Sequence, residues 1–370
     1  MSTDDQLRRE IDLLGRMFGD VIRRFEGETA FNLIEETRRL ARLSSQGDME
    51  AADELSRLLQ NLSLEELRIV VRAFSTFLEL ANLAEDRQRV RVLRERAAVA
   101  HPQPPRESVQ EAVAMLAERG MSAADAAALL ARISVELVFT AHPTEAKRRS
   151  LRSKQRAIRG LMRELDSDLL LPNEMERLQT QLRGELIKLW QTDFIRPSAP
   201  TVTLEVQRGL SFQPVLWAAV PRVLRELREA LATAYPGVEF DIPRVLGFGS
   251  WMGGDRDGHP FVTPDITAQT CRWLRSAAIE AHLENRRVLA DSLSISRRQS
   301  PACARLEERI DAATGNWPVL VSELADHGPL ESYRRWLRVI RWRLEQTAAA
   351  DLHSLPRAGS YATTDQFAAD

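Results

Sequence analysis

Apolar residues recur every three or four positions through most of this chain, which is the spacing of one face of an α-helix. The pattern predicts helices over residues 5–26, 28–45, 48–60, 64–98, 107–119, 122–133, 145–163, 174–194, 204–234, 265–290, 302–313, 318–325 and 330–349. Gly27 and Gly120 supply helix stops, and Ser63 with Glu66 has the spacing of a capping box. Such a chain must bury its apolar stripes mainly by packing helix against helix.

Two short segments break the helical spacing and predict strands. Residues 135–140 are partly β-branched and lead into a His-Pro turn, which predicts a buried strand. Residues 238–248 alternate between apolar and polar side chains, which is the period of a strand. Each predicted strand leads directly into an unusual loop. This arrangement is expected where catalytic residues follow the carboxyl ends of strands.

The composition excludes several classes of protein. The 370 residues are 44% hydrophobic, which is enough for a sizeable core. The 51 basic and 53 acidic residues give a net charge of -2, which argues against nucleic-acid binding as the main activity. Two cysteines without a partner motif predict a reducing, cytoplasmic location. We expect no membrane span, because no apolar run approaches about 18 residues. We expect no signal peptide, because the N-terminus is charged and lacks an apolar stretch.

The first loop centres on His142, which precedes Pro143 and follows the predicted strand. The proline restricts the backbone of the histidine. The positive end of the following helix, together with Arg148 and Arg149, would favour a bound anion. A histidine that titrates near neutral pH can move a proton to or from such an anion. In isolation, however, a histidine before a proline is more often a turn or core residue.

The second loop carries two glycines, two aspartates and an arginine in succession. Gly253 and Gly254 allow a sharp turn and a close approach of the backbone to a ligand. Asp255 and Asp257 could hold a metal, or they could clamp Arg256 as a fork for an anion. A calcium loop is rejected because the third oxygen position and the distal glutamate are missing. A purely structural, salt-bridged turn is an equally good interpretation.

Taken together, the two loops resemble phosphoenolpyruvate carboxylase. The resemblance lies in Phe-Thr-Ala-His-Pro-Thr-Glu at 139–145, followed by Arg148 and Arg149, and in Gly-Ser-Trp-Met-Gly-Gly-Asp-Arg-Asp-Gly at 249–258. Weaker matches are found at 72–75, 81–85, 189–193 and 217–221. All of them follow the order of the family, from about residue 10 to the end of the chain.

The resemblance implies a predominantly α-helical protein in which a few strands form part of an incomplete α/β TIM-like barrel. Residues 1–100 would form an N-terminal helical region, and residues 101–370 would form the first part of the catalytic barrel region with helical insertions. The implied reaction carboxylates phosphoenolpyruvate with bicarbonate to give oxaloacetate and phosphate. The implied assembly is a homotetramer that uses Mg²⁺ or Mn²⁺, with metal ligands outside this chain.

The resemblance also assigns roles to individual residues. His142 matches the catalytic histidine of the family. We expect the substrate to be bound by Arg148, Arg149, Trp251, Gly253, Gly254 and Arg256. Asp255 and Asp257 are expected to give the second loop structural support.

The chain also departs from the family pattern. His259 stands at a usual asparagine, Phe194 at a usual acid, and 204–207 read Leu-Glu-Val-Gln at a usual Asp-Glu-Ala-Arg. The later motifs of the family are absent. We therefore expect a truncated chain or gene fragment that lacks carboxylase activity alone and exposes apolar strand edges. The alternative is a non-catalytic remnant or paralogue that binds anions or full-length subunits.

Overall fold

The structure is a computed structural model, and it describes residues 3–140, 148–167, 169–194, 201–257, 259–299, 304–325, 328–350 and 356–370. The helices are α1 (Thr3–Ser45), α2 (Met49–Gln60), α3 (Leu64–Ala100), α4 (Val109–Glu118), α5 (Ala123–Leu130), α6 (Arg149–Leu165), α7 (Pro172–Trp190), α8 (Val202–Gly209), α9 (Gln213–Ala234), α10 (Pro264–Ser292), α11 (Ala304–Asn316), α12 (Val319–Ala325), α13 (Ser332–Ala349) and α14 (Thr364–Ala368). The strands are β1 (Val135–Phe139) and β2 (Leu246–Ser250). The predominantly helical prediction is confirmed, whereas the described residues do not form a complete barrel.

The chain forms two compact units. Unit 1 comprises Met1–Met121, His142–Ala199 and Thr233–Pro236, and unit 2 comprises Ser122–Ala141, Pro200–Ala232 and Gly237–Asp370. The sequence predicted a division at residue 100 between a helical region and a barrel region. That division stays a prediction. No helix in the described chain combines the length and the apolar character that a bilayer crossing requires.

Helix ends follow local sequence signals closely. The capping box at Ser63 and Glu66 is present, with each side chain bonded to the other residue's backbone. Gly27 has φ 85° and ψ 171°, so it interrupts α1 where a helix stop was predicted. Residues 204–234 were predicted as one helix, but a 3₁₀ turn at Leu210–Phe212 separates α8 from α9.

The two strand predictions need correction. β2 covers Leu246–Ser250 rather than 238–248, because β1 offers a partner only from Val135, which pairs with Leu246. The prediction that β1 is buried is wrong. Leu137 is 50% exposed and Val138 is 45% exposed. Within the described residues, each strand pairs with the other alone.

Unit 1 encloses an apolar core between α1, α3, α6 and α7. Leu182 and Leu186 on α7 are completely buried, and so is Ile158 on α6. The Trp190 ring meets Phe18 edge-on, with the ring centroids 5.6 Å apart. These positions repeat at helical spacing, which is how the predicted apolar stripes become one core.

A buried ionic cluster crosses the same core. Arg87 on α3 is 7% exposed and pairs with Glu10 on α1, which is 5% exposed, at a nitrogen–oxygen distance of 3.0 Å. Arg87 Nη2 also donates to Met162 O at 3.0 Å, near the end of α6. Arg91 binds Glu10 and lies 3.0 Å from Asp166. The arginines therefore connect three helices while satisfying one buried carboxylate.

Unit 2 contains the strand pair and the packed helices α10, α11, α12 and α13. Ile310, Leu320 and Val339 are completely buried and form one cluster. Ile279 and Leu344 form a second cluster, between α10 and α13. This unit places both β1 and β2 beside the second loop, which begins at Trp251.

Candidate active site

Parallel pairing brings the carboxyl ends of β1 and β2 to the same edge of the strand pair. Val135 is in register with Leu246, and Phe139 is in register with Ser250. The backbone N–H of Trp251 donates to Phe139 O at 2.9 Å, so the contact continues past the end of β2. Because the strands are parallel, the chain that leaves β1 and the chain that leaves β2 start side by side.

The predicted catalytic histidine, His142, lies outside the described residues, as do its neighbours at 141 and 143–147. The described chain stops at Thr140, which is exposed, and resumes at Arg148. The role of His142 therefore stays a prediction.

The second loop turns immediately after β2. The amides of Gly254 and Asp255 both donate to Trp251 O, at 3.0 and 2.9 Å. The Asp257 amide donates to Asp255 Oδ1 at 3.0 Å, which closes a second tight turn. Asp255 thus shapes the backbone on either side of Arg256. Gly258 lies outside the described residues.

Gly253 is required by close packing as well as by its backbone angle. Its φ is +74°, which disfavours any side chain. A Cβ at this position would lie 2.8 Å from Val206 Cγ2 and would collide with Thr270. The sequence predicted a close approach to a ligand, but the approach seen at Gly253 is to the protein's own helices α8 and α10. Gly254 is exposed, and its nearest neighbour would be Ser250 O at 3.7 Å.

Arg256 is held by a neutral partner. Its Nη2 donates to Thr267 Oγ1 at 3.2 Å, and Thr267 Oγ1 itself donates to Gly253 O at 2.9 Å. Among the described residues, no ion pair joins Arg256 to Asp255 or Asp257. The clamp by two carboxylates is therefore not seen here. The exposed guanidinium has no carboxylate at ion-pair distance among the described residues.

The other predicted substrate-binding residues differ in their surroundings. Trp251 follows β2 and is 58% exposed. Arg148 caps the start of α6 in unit 1, where its Nη1 donates to Asp193 O at 3.3 Å. Its guanidinium also lies 4.0 Å from Asp193 Oδ2. Arg149 is the first residue of α6. Arg148 thus has Asp193 as a partner, whereas the partner of Arg256 among the described residues is a hydroxyl.

An apolar cavity of about 610 Å³ lies beside the strand pair in unit 2. Phe139, Phe248 and Met252 line it together with residues of α8, α9 and α10. The rings of Phe139 and Phe212 stack with centroids 5.5 Å apart. Sequence reasoning missed this cavity. The available signal was the apolar residue at the end of each strand, but it does not reveal which helix faces the strands.

Among the described residues, no three or more metal-ligating side chains lie close enough together to hold a metal ion. Asp255 and Asp257 are therefore not part of such a cluster. The expected Mg²⁺ or Mn²⁺ ion would need further oxygen ligands, since both ions prefer six oxygen donors in near-octahedral geometry. The residues present here therefore do not fit a complete metal site.

A helical protein with parallel strands that open onto a glycine-rich, arginine-bearing loop has the layout of an enzyme site at a strand edge. The family model for phosphoenolpyruvate carboxylase matches residues 7–370, and the chain belongs to this family.

Curated relatives agree with the family assignment. The phosphoenolpyruvate carboxylase of Roseiflexus castenholzii is 39% identical over 93% of this chain. Its counterpart in Thermus thermophilus is also 39% identical over 93% of the chain, and that of Azoarcus sp. is 36% identical over 99%. The chain spans only 37% to 39% of the length of these three relatives.

Proposed function

We propose that this chain forms the N-terminal portion of a phosphoenolpyruvate carboxylase and supplies part of its active site. The observation that carries the proposal is the register of β1 and β2. Phe139, three residues before His142, accepts a backbone bond from Trp251, at the start of the glycine loop, with a distance of 2.9 Å. Two segments typical of this family therefore leave the sheet side by side.

The proposed reaction converts phosphoenolpyruvate and bicarbonate into oxaloacetate and phosphate. Bicarbonate attacks the phosphoryl group, which gives carboxyphosphate and the enolate of pyruvate. Carboxyphosphate then releases phosphate and carbon dioxide, and the enolate carbon bonds to the carbon dioxide. In this scheme His142 moves a proton during the formation and breakdown of carboxyphosphate, because its ordinary pKa lies near neutral pH.

Arg256 is the proposed cation of the second loop. Its bond from Nη2 to Thr267 Oγ1, at 3.2 Å, fixes one side of the guanidinium while leaving its charge unpaired by the described carboxylates. An arginine held in this way can present its remaining N–H groups to a phosphate or carboxylate. Trp251, Gly253 and Gly254 are proposed to complete this side of the substrate site.

Arg148 and Arg149 are the proposed cations of the first loop. Arg148 would exchange its contact with Asp193 O for the stronger attraction of a dianionic substrate. Asp255 and Asp257 would support the loop that presents Arg256. The apolar cavity beside the strands suits a reaction in which water must be kept from the enolate.

Mg²⁺ or Mn²⁺ is proposed as the cofactor of the longer protein, where it would neutralise charge on the substrate. The described residues of this chain do not supply a metal site, so we derive no step through the ion. A homotetramer in the cytoplasm is proposed on the family resemblance. The same reasoning predicts that these 370 residues alone do not catalyse the reaction.

Oxaloacetate formation, coupled to malate dehydrogenase and NADH, tests the proposal. A longer protein that includes this chain and the later motifs of the family should require both phosphoenolpyruvate and bicarbonate, whereas the 370-residue chain should show no turnover. Turnover by the 370-residue chain would contradict the inactivity of the fragment. A longer protein that is well folded but inactive would contradict the carboxylase assignment.

The alternative is a non-catalytic paralogue that binds anions or full-length subunits, and the departures at 194 and 204–207 favour it. Phe194 packs against the apolar core of unit 1, where an acid would be costly to bury. Val206 is 3% exposed and packs where a Cβ of Gly253 would lie. These residues keep the scaffold intact without adding charge. A full-length reading frame that ends without the later family motifs would support this alternative.

A further inference from the structure

The packing of α10 against α13 has a register that can be read from two contacts. Arg334 Nε on α13 donates to Ala290 O on α10 at 2.8 Å. Further along, Ile279 packs with Leu344 in one buried cluster. Residue numbers therefore rise on α13 as they fall on α10, so the two helices are antiparallel.

This register places two arginines opposite each other. Stepping four positions along α10 from Ala290 reaches Arg286, and the matching step along α13 from Arg334 reaches Arg338. Arg341 lies three positions beyond Arg338, so it shares the same helical face. Three guanidinium groups therefore converge within unit 2.

Two donors in this group are left unsatisfied. The Nε atoms of Arg286 and Arg338 are both buried, and neither has a hydrogen-bond partner among the described residues. A buried donor without an acceptor is unfavourable, because it has lost water and gained nothing in return. Facing like charges add to this cost. An acceptor that enters between the two helices would relieve both.

The carboxylates nearby do not balance the three cations. Arg338 binds Glu323, and Arg341 Nε lies 2.7 Å from Glu345 Oε1. Arg286 has no ion pair at contact distance among the described residues. Asp291 acts on Arg286 only from a greater distance, and its contact ion pair is with Arg287. One positive charge therefore remains in excess.

The directions of two pKa shifts agree with this imbalance. Burial lowers the pKa of Arg286, and the charges of Arg341 and Arg338 lower it further, whereas Glu345 and Asp291 oppose the change. The adjacent Arg287 shows the opposite direction, since its hydrogen bond to Glu284 raises its pKa. Two neighbouring arginines on α10 thus differ in whether carboxylates neutralise them.

We propose that Arg286, Arg338 and Arg341 form a binding site for a phosphate-type oxyanion. A tetrahedral dianion presents several oxygens at once, and arginine N–H groups match such oxygens in forked pairs. The dianion would neutralise the excess charge and accept from the unsatisfied Nε groups after small side-chain rotations. The site lies on α10 and α13, and it uses neither His142 nor the Gly253 loop. It is therefore independent of the proposed carboxylase reaction.

Calorimetric titration of inorganic phosphate into the 370-residue chain, in low-chloride buffer, tests the proposal. Arg286→Met and Arg338→Met should each weaken binding at this site about tenfold or more, since charge-assisted bonds are lost. Arg287→Met is the matched control, because Arg287 is exposed and already paired with Glu284. Arg256→Met is a second control, because it removes the arginine through which the second loop could bind phosphate. Both controls should keep the affinity of the α10–α13 site.

Thermal unfolding provides a second measurement that does not depend on detecting heat. Phosphate should raise the Tm of the wild type and of Arg287→Met, and it should raise the Tm of Arg286→Met clearly less. β-Glycerophosphate distinguishes the source of the anion. Equal binding of this ester assigns a phosphate monoester, whereas its rejection assigns free phosphate. Failure of the wild type to bind either anion, or unchanged binding in both the Arg286 and Arg338 variants, would overturn the proposal.

Discussion

Unit 1 and the strand pair of unit 2 differ in how far their apolar side chains are buried and in whether their arginines are paired with carboxylates. In unit 1, Leu182 and Leu186 are fully buried, and Arg87 pairs with a buried carboxylate. In the strand pair, Leu137 is 50% exposed. The loop that follows carries Arg256, which has a hydroxyl partner rather than a carboxylate.

The contrast distinguishes residues that stabilise the fold from exposed residues that can contact a ligand or another part of the protein. A helix can satisfy its backbone internally and needs only an apolar neighbour, which unit 1 provides. A strand leaves backbone groups unpaired at an open edge, and among the described residues β1 and β2 pair only with each other. We therefore expect substitutions in unit 1 to change stability and substitutions at the strand ends to change binding.

The largest expected effect is in the core of unit 1. Leu186→Ala should lower the free energy of unfolding by about 4 kcal/mol, because it removes buried contacts and leaves a cavity. Leu137→Ala in β1 should cost less than about 1 kcal/mol, since half of the side chain is already exposed. Urea denaturation followed by tryptophan fluorescence and circular dichroism measures both. Equal losses of unfolding free energy would show that Leu137 in β1 is as well buried as Leu186 in the core.

Removing the buried cation should come next. Arg87→Met should lower the free energy of unfolding by about 3 kcal/mol, because Glu10 keeps only Arg91 as a charged partner. The control is Arg159→Met, whose ion pair with Asp86 is exposed and should be worth less than about 1 kcal/mol. If the two variants unfold at the same urea concentration, the ionic cluster contributes no more than a surface pair.

The second loop offers a pair of neighbouring glycines for comparison. Gly253→Ala should cost about 2 kcal/mol, because its φ of +74° and the nearby Val206 and Thr270 leave no room for a Cβ. Gly254→Ala should cost less than about 1 kcal/mol, since its surroundings are open. Hydrogen exchange of residues 251–257 and the Tm report both changes. Similar behaviour of the two variants would mean that Gly253 is not needed by packing.

The smallest effect concerns pH. His282 lies edge-on to Trp217 and Phe367, with ring centroids 4.7 and 4.5 Å away, and burial lowers its pKa from the ordinary value of 6.5. The unfolded chain therefore takes up a proton before the folded chain does. Stability is complete above pH 6.5 and falls as pH drops from there through the folded pKa.

The change should be less than about 1 kcal/mol, because the group is only half buried. His282→Phe should reduce the loss of stability between pH 7 and pH 5.5. Measuring Tm across this range compares the two proteins. The same pH dependence in both would remove His282 from the explanation.

Helix positions could be predicted because their signals are local. The spacing of apolar residues, the box at Ser63 and the stop at Gly27 act within one or two turns. Strand limits could not be predicted in the same way. β2 begins at Leu246 because its partner begins at Val135, more than one hundred residues away.

The candidate site shows the same division. The glycine loop could be recognised from its composition, and the need for Gly253 could be predicted as a sharp turn. The helices that it packs against, and the choice of Thr267 over Asp255 as the partner of Arg256, depend on tertiary packing. The facing arginines on α10 and α13 were missed for the same reason, since only the helix register brings Arg286 to Arg338.

The central proposal is that His142 and Arg256 act in one site, and a double-mutant cycle in the complete carboxylase tests it. His142→Asn and Arg256→Met should each lower kcat/KM for phosphoenolpyruvate about a hundredfold or more. The double variant should lose little more activity than the less active of the two single variants. The effects of residues that act together on one transition state are not additive. Independent, multiplicative losses, or no loss in either single variant, would contradict the account.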